Sequence, residues 1–190
     1  MIGILGQKLG MTRLLREDGT IIPVTLVKTA KNLITRVKTE GKDGYNALVL
    51  GVNKAKSEQD LAISREFKIT NPDEFKDQKE INLSIFTEGE TVSIQGISKG
   101  KGFQGVIKRH KFHRGPMTHG SDHHREPGSV GTRKPRRIKP GKKLPGHMGL
   151  RQISLKKVQI IKIDPERQII ALKGPLPGSI SSFIKITKEA

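Results

Sequence analysis

The sequence predicts a mainly β chain in which one long basic loop interrupts a small barrel, with a minor helix. Short apolar runs rich in β-branched residues, separated by glycine, proline and Asp-Gly turns, occur before Lys99 and again after Arg151. The segment between them is rich in glycine, proline and cations and contains few apolar residues. Because neither flank has enough apolar residues for a core of its own, we expect strands from both flanks to build one barrel.

This pattern divides the chain into two predicted parts. The barrel body comprises residues 1–98 and 152–190, and residues 53–80 form a polar insertion within it. Residues 99–151 form an extended basic loop.

The first part of the body is predicted to be a series of short strands. Asp18-Gly19 favours a tight turn because glycine readily adopts positive φ. Pro23 cannot donate to a strand ladder, so its strand is expected at an edge or a bulge. The predicted strands are Ile2–Leu9, Met11–Leu15, Ile21–Val27, Leu33–Val37 and Ala47–Val52.

The later part of the body is predicted to contain one helix and further strands. Asn71 and Pro72 are suited to the cap and first position of a short helix. Asp164–Arg167 is a turn sequence between two apolar runs, which predicts a hairpin. The predicted strands are Ile81–Ile85, Val92–Ile97, Ile153–Ile163, Gln168–Leu172 and Phe183–Ile186.

The composition excludes several classes of protein. The chain has no cysteine, which excludes disulfides and thiolate metal sites. No apolar run approaches the ~20 residues of a membrane span, and the first residues lack the basic and long apolar regions of a secretory signal. Frequent glycine and proline in the basic segment exclude an amphipathic helix on a membrane surface. We therefore expect no membrane partner.

The charge of Lys99–Arg151 predicts a polyanionic partner. This segment holds fifteen lysines and arginines against two acids, Asp122 and Glu126, and also contains all six histidines. Its net charge is therefore +13, out of +18 for the chain. Such a segment repels itself in water until a polyanion neutralises it. We therefore expect nucleic acid as the partner and expect the extended loop, 99–151, to penetrate RNA. The chain has no tryptophan and a single tyrosine, so base stacking is not expected to be the main binding mode.

Residues Gly100–Gly105 match the pattern G-x-G-x-x-G after a predicted strand. A dinucleotide fingerprint requires a long helix and a second parallel strand. Here only Val106–Lys111 precedes the break at Pro116, so that interpretation fails. The favoured alternative is a glycine-permissive loop that opens a short basic helix and holds RNA phosphates through backbone N–H groups and lysines.

The histidines permit a metal hypothesis. His119 and His123 have the spacing of a zinc pair, and Asp122 lies between them. A metal-dependent nuclease or hydrolase would use these three residues and would also need a general base. The surrounding cations disfavour a bound dication, so we expect the histidines to contact phosphates and bases. A free RNA chaperone is a further alternative.

Long motifs across the chain resemble a known family. The opening Met1–Thr12, the loop segments Pro127–Gly131 and Gly141–Gly149, and the C-terminal Asp164–Gly174 are similar to universal large-subunit ribosomal protein three. The likeness is weakest over residues 53–80. Its interior signature is matched by Phe86, Gly96, Ser98, Gly100, Lys101, Gly102, Gly105 and Arg109.

The resemblance implies a translation-protein-type β-barrel, with a loop that approaches the peptidyl transferase centre. It also implies binding near the 3′ end of the large-subunit (23S-type) ribosomal RNA, a role in subunit assembly, and contacts with neighbouring large-subunit proteins. The ribosomes would be cytoplasmic or those of an organellar matrix or stroma. Ser93 replaces the usual Asp or Asn of the signature. Thr132–Lys134 lacks the glutamine that some bacterial members methylate, so that modification is not expected here.

We expect no catalytic residue, cofactor, metal or small-molecule substrate. The residues expected to bind ribosomal RNA are Lys8, Arg13, Lys99, Lys101, Lys108, Arg109, Lys111, His113, Arg114, His119, His123, His124, Arg125, Arg133, Lys134, Arg136, Arg137, Lys139, Lys142, Lys143, His147 and Arg151. The glycines expected to shape the loop and its tip are Gly100, Gly102, Gly105, Gly128, Gly131, Gly141, Gly146 and Gly149.

Overall fold

The computed structural model describes residues 2–54, 57–75, 78–134 and 136–188, with the backbone alone for residues 53–54 and 57–62. These residues are mainly β, as predicted. The strands are β1 (Gly3–Leu15), β2 (Ile21–Lys28), β3 (Asn32–Lys38), β4 (Ala47–Lys54), β5 (Ser57–Lys68), β6 (Glu80–Ile81), β7 (Thr91–Ile97), β8 (Gly102–Gln104), β9 (Gly146–Met148), β10 (Gln152–Asp164), β11 (Ile169–Lys173) and β12 (Phe183–Lys188). The α-helices are α1 (Glu40–Asp43) and α2 (Val106–His110).

Six antiparallel strands form a closed barrel in the order β1-β12-β7-β10-β11-β2. The ring closes because the long strand β1 pairs with both β12 and β2. The register of β1 against β2 shifts between Lys8 and Gly10, and a bulge of this kind bends a strand and increases its twist. Pro23 of β2 pairs with Arg13 of β1. On the other side of β2, strand β11 ends at Lys173 opposite Val24, so Pro23 lies just beyond the last pair of that ladder.

Strands from both sides of the basic segment build this barrel. The predicted hairpin is confirmed as β10 and β11, and the predicted last strand as β12. Strand β10 pairs with β7 across the segment, and β12 pairs with β7 on its other side.

A second antiparallel sheet, in the order β5-β4-β3-β6, lies outside the barrel ring. The predicted strands Leu33–Val37 and Ala47–Val52 are present, but they belong to this sheet rather than to the barrel. The predicted polar insertion, 53–80, contains the long edge strand β5. An antiparallel edge strand needs apolar residues on one face alone, so its mean composition can be polar. Phe67 and the following Ile69 are buried, while Glu66 and Lys68, whose side chains alternate with them, are exposed.

Two local predictions in this region are wrong in detail. The helix expected after Asn71 is a single 3₁₀ turn, Asp73–Phe75. The strand expected over Ile81–Ile85 ends after Ile81 and continues as a second 3₁₀ turn, Leu83–Ile85. The N–H of Phe86 donates to the Leu83 carbonyl at 3.0 Å, so a local hydrogen bond replaces the ladder.

Asn32 is a buried polar link between the two sheets. Its Oδ1 accepts the N–H of Leu5 in β1 at 2.7 Å, and its Nδ2 donates to the Leu5 carbonyl at 3.1 Å. Nδ2 also donates to the carbonyl of Ala30 at 2.9 Å. One amide side chain therefore satisfies both backbone groups of a buried barrel residue. The apolar cluster around it draws on both sheets, for example Phe67 and Ile184.

The chain divides into two compact units, Met1–Ser98 with Arg151–Ala190, and Lys99–Leu150. Arg151, which the sequence analysis placed in the loop, belongs to the first unit. Its carbonyl accepts the N–H of Ser98 at 2.9 Å, and its N–H donates to the Ser98 Oγ at 3.2 Å. In the described part of the chain, no helix has the length and apolar composition that a membrane crossing requires.

Replacing Asn32 with alanine should destabilise the protein because the Leu5 N–H and C=O would stay buried without partners. We expect the free energy of unfolding to fall by about 2 kcal/mol or more. Urea denaturation followed by far-UV circular dichroism measures this change. Asn82→Ala, at an exposed position, is the control and should change the value by less than about 0.5 kcal/mol. Equal effects of the two substitutions would contradict the assigned role of Asn32.

Candidate nucleic-acid interface

The unit Lys99–Leu150, here called the basic unit, has almost no apolar core. Among its described residues, Val106 is the single buried one. The unit holds fourteen lysines and arginines against Asp122 and Glu126. Thirteen of these cations are exposed, and Arg109 is half-buried. A unit that presents this much charge and buries so little apolar surface is suited to a polyanionic partner.

A short hairpin and one helical turn build the start of this unit. Strands β8 and β9 pair antiparallel, and the Lys101 N–H donates to the Met148 carbonyl at 2.9 Å. Helix α2 follows with Gly105 as its N-cap. The predicted short basic helix is therefore confirmed, but Gly102–Gln104 of the predicted glycine loop form strand β8. All strand pairs of the described residues are antiparallel, so the loop lacks the parallel strand of a dinucleotide site.

The helix binds a distant part of the unit through one carbonyl group. Arg109 Nη1 donates to the Leu144 carbonyl at 2.6 Å, and His110 Nε2 lies 3.0 Å from the same oxygen. Because a carbonyl only accepts, the His110 Nε2 carries the proton. Gly146 packs against the Arg109 guanidinium, where a Cβ atom would lie 2.9 Å from Nη1. Arg109 therefore commits part of its donor capacity to holding the unit together.

His124 holds a second pair of segments together. The Gly115 N–H donates to the His124 carbonyl at 3.1 Å, and His124 Nδ1 donates to the Pro116 carbonyl at 2.7 Å. His123 Nδ1 lies 2.6 Å from Glu126 Oε2. Gly115 was not among the predicted loop glycines, yet a Cβ there would overlap the His123 carbonyl. Nothing in the sequence separates Gly115 from the other glycines of the segment, because the contact is with a residue eight positions away.

The histidine positions do not assemble the ligand set of the metal hypothesis. In residues 2–54, 57–75, 78–134 and 136–188, no group of three or more His, Asp or Glu side chains could hold a metal ion. His119 is exposed with a left-handed backbone, φ 58°. His123 contacts Glu126 rather than Asp122.

The predicted tip presents its cations to solvent. Arg133, Lys134 and all described cations from Arg136 to Lys143 are exposed. Two tight turns shape this part, with N–H groups of Arg136 and Lys142 donating to the carbonyls three residues earlier. Pro135 lies outside the described residues. Gly149 has φ 82°, and a Cβ there would overlap the Lys99 carbonyl, so this predicted loop glycine is required by geometry.

Of the predicted RNA contacts outside the basic unit, Lys8 is buried and the others are exposed. Arg13 and Arg151 are exposed. Lys8 is 7% exposed, and its Nζ donates to the carbonyls of Leu176 at 2.8 Å and Gly178 at 3.2 Å. The unit formed by Met1–Ser98 and Arg151–Ala190 is here called the barrel unit. The prediction that Lys8 binds RNA is therefore corrected, since its ammonium group donates to carbonyls within the barrel unit. Its position in a glycine-rich run gave no sign of this role, because the two acceptors lie about 170 residues along the chain.

A folded β unit followed by a cationic unit with little regular structure is typical of one class, the nucleic-acid-binding proteins. Comparison with known proteins specifies the family. The family model described as ribosomal protein L3 matches residues 46–173. Large ribosomal subunit protein uL3 of Carboxydothermus hydrogenoformans is 43% identical over 203 residues, covering 99% of this chain and 97% of the relative. The protein uL3c of Phaeodactylum tricornutum is 41% identical and covers 100% of both chains. The uL3 of Desulforapulum autotrophicum is 42% identical and covers 98% of each.

The chain belongs to the ribosomal protein L3 family. The resemblance seen in the sequence motifs is thereby confirmed over nearly the full length.

Substituting Lys8 by methionine separates its structural role from RNA binding. The carbonyls of Leu176 and Gly178 would lose a donor, and we expect the free energy of unfolding to fall by about 1–3 kcal/mol. The affinity of the folded protein for RNA should not change. The exposed Arg13 gives the matched variant Arg13→Met, which should leave stability within about 0.5 kcal/mol. A Lys8→Met protein of unchanged stability and weakened RNA binding would restore the original prediction.

Proposed function

We propose that this protein is a structural constituent of the large ribosomal subunit that binds the 23S-type ribosomal RNA. The observation that carries this proposal is the basic unit, with thirteen exposed cations and Val106 as the one buried residue among those described. Relatives that match over nearly their whole length are named as large ribosomal subunit proteins. A ribosomal location, in the cytoplasm or in an organelle, follows from the same proposal.

The proposed mechanism is charge neutralisation followed by compaction of RNA. Lysines and arginines displace counterions from closely spaced phosphates and so lower the cost of bringing RNA segments together. With about eight phosphates contacted, log affinity should fall with log salt with a slope of about −6 to −7. The predicted RNA contacts of the basic unit, from Lys99 to His147, carry this role. The hydrogen bonds at the Leu144 and His124 carbonyls fix parts of the unit in advance and reduce the ordering cost on binding.

The proposal extends to the fold type of the barrel and to the position of each unit on the ribosome. We propose that the closed barrel is of the translation-protein type and forms the body predicted at 1–98 and 152–190. The basic unit would run into the ribosomal RNA toward the peptidyl transferase centre and support assembly near the RNA 3′ end. Neighbouring large-subunit proteins would contact the body. The protein would shape the catalytic RNA without chemistry of its own, since its role needs cations and not a nucleophile with a base.

Removing four cations of the tip should weaken the salt dependence of RNA binding. If each contacts one phosphate, the slope of log affinity against log salt becomes shallower by about 3. Filter binding to large-subunit RNA over a salt series measures the slope. The variant carries alanine at Arg136, Arg137, Lys142 and Lys143.

A control variant removes the same charge from the exposed surface of the other unit. Its slope should stay close to that of the unchanged protein, since these lysines lie outside the proposed interface. Equal losses of slope in the two variants would mean that net charge alone governs binding. The control carries alanine at Lys28, Lys31, Lys162 and Lys173.

Deleting residues 118–146 should leave a folded barrel that joins ribosomal particles poorly. The buried apolar cluster lies wholly in the other unit, so circular dichroism should retain its β signal. In sucrose gradients of cell extracts, the full chain should sediment with the large subunit, whereas the deletion variant should remain mostly at the top. A full chain found mainly off the ribosome would favour the chaperone alternative. Normal incorporation of the deletion variant would contradict the role of the basic unit.

A further inference from the structure

The basic unit contains a cavity of about 910 Å³, lined by residues 110–115 and 126–129 and by His123 and Lys143. We propose that this cavity holds a single nucleotide extruded from the RNA. The base would stack on Phe112, and its phosphates would be bound by Lys111, Arg114 and Lys143. The inference rests on the proposed RNA-binding function and names the chemical unit that one part of the interface recognises.

The walls of the cavity are fixed by hydrogen bonds of the protein itself. Segments 110–115 and 123–129 are joined by the Gly115–His124 backbone bond and by the bond from His124 to Pro116. The wall at Lys143 is positioned through the adjacent Leu144 carbonyl, which binds Arg109 and His110. Gly115 leaves no room for a side chain between the first two walls. The cavity is thus built by contacts between residues far apart in the sequence, and its volume lies within the ~300–1,000 Å³ of ordinary ligand sites.

The lining is cationic. Lys111, Arg114 and Lys143 are exposed and border the cavity. The one acid in the lining is Glu126, whose Oε2 lies 2.6 Å from His123 Nδ1. The carboxylate is therefore directed at an imidazole of the protein. An anion in the cavity meets three cations, and this favours a phosphate group.

The lining also contains an aromatic ring. Phe112 is half-buried at the cavity, and its ring centroid lies 6.1 Å from that of His110 at an interplanar angle of 46°. Every base has a π face that stacks on such a ring, and unstacked bases of RNA loops and bulges are recognised in this way. The ring and the surrounding cations together match the two chemical parts of one nucleotide, a planar base and an anionic phosphate.

Two RNA probes test the proposal with the full chain. One is a fully paired RNA duplex, and the other is the same duplex with one unpaired adenosine in its middle, which is extruded at low cost. The unchanged protein should bind the bulged probe more tightly. Phe112→Ala should weaken binding of the bulged probe about tenfold and leave the paired probe unaffected. The matched control is Phe103→Ala, which removes a 76% exposed phenylalanine of the same unit outside the cavity and should affect neither probe.

Phe112→Leu keeps most of the side-chain volume but has no aromatic face, so it removes stacking without emptying the cavity. It should lose the preference for the bulged probe as Phe112→Ala does. Equal binding of the two probes by the unchanged protein would overturn the proposal. A Phe112→Leu protein that retains the preference for the bulged probe would also overturn it. These results are separate from failure of the proposed function, which would appear as RNA binding that does not depend on salt.

Discussion

The pairing of β7 with β10 is the constraint on which the rest of the structure depends. It runs from Ile97 opposite Gln152 to Thr91 opposite Gln159, and the Ser98–Arg151 bonds extend it to the ends of the basic unit. This pair joins the barrel strands before the insertion to those after it, so without it the ring would open. Closing so long a loop costs little more than closing a shorter one, because the entropic cost grows slowly with length. A ladder of backbone hydrogen bonds, with one register shift between Leu155 and Val158, offsets that cost.

The molecule separates apolar burial from charge. Among the described residues, twenty buried apolar side chains of the barrel unit form the main cluster, including Leu48, Ile94 and Ile170. The basic unit buries Val106 among its described residues and presents nearly all of its cations. Lys8 is the exception to this separation, as a cation of the barrel unit whose ammonium group caps two carbonyls. In the described part of the chain, no buried side-chain nitrogen or oxygen lacks a hydrogen-bond partner. Core stability and the proposed RNA binding therefore draw on different residues.

Within the basic unit, order comes from hydrogen bonds rather than from a core. The Leu144 carbonyl accepts hydrogen bonds from Arg109 and His110, and the His124 carbonyl accepts one from the Gly115 N–H. Such contacts define local geometry while leaving the charges uncompensated, so the binding free energy of an RNA partner supplies the remaining stabilisation. The histidines illustrate the division of roles. His110, His123 and His124 contact other groups of the unit, whereas His113, His119 and His147 are exposed.

The sequence by itself determined the β class, the β10–β11 hairpin, the last strand, the basic segment and the family. These depend on local signals, namely alternation, turn residues, charge density and long motifs. Tertiary structure alone decided the second sheet, the edge strand β5, the 3₁₀ turn at Leu83–Ile85, the burial of Lys8 and the cavity beside Phe112. An alternating pattern gives a strand two faces but does not name its partner. Likewise, a lysine becomes structural or RNA-binding according to carbonyls and phosphates that lie far from it in sequence.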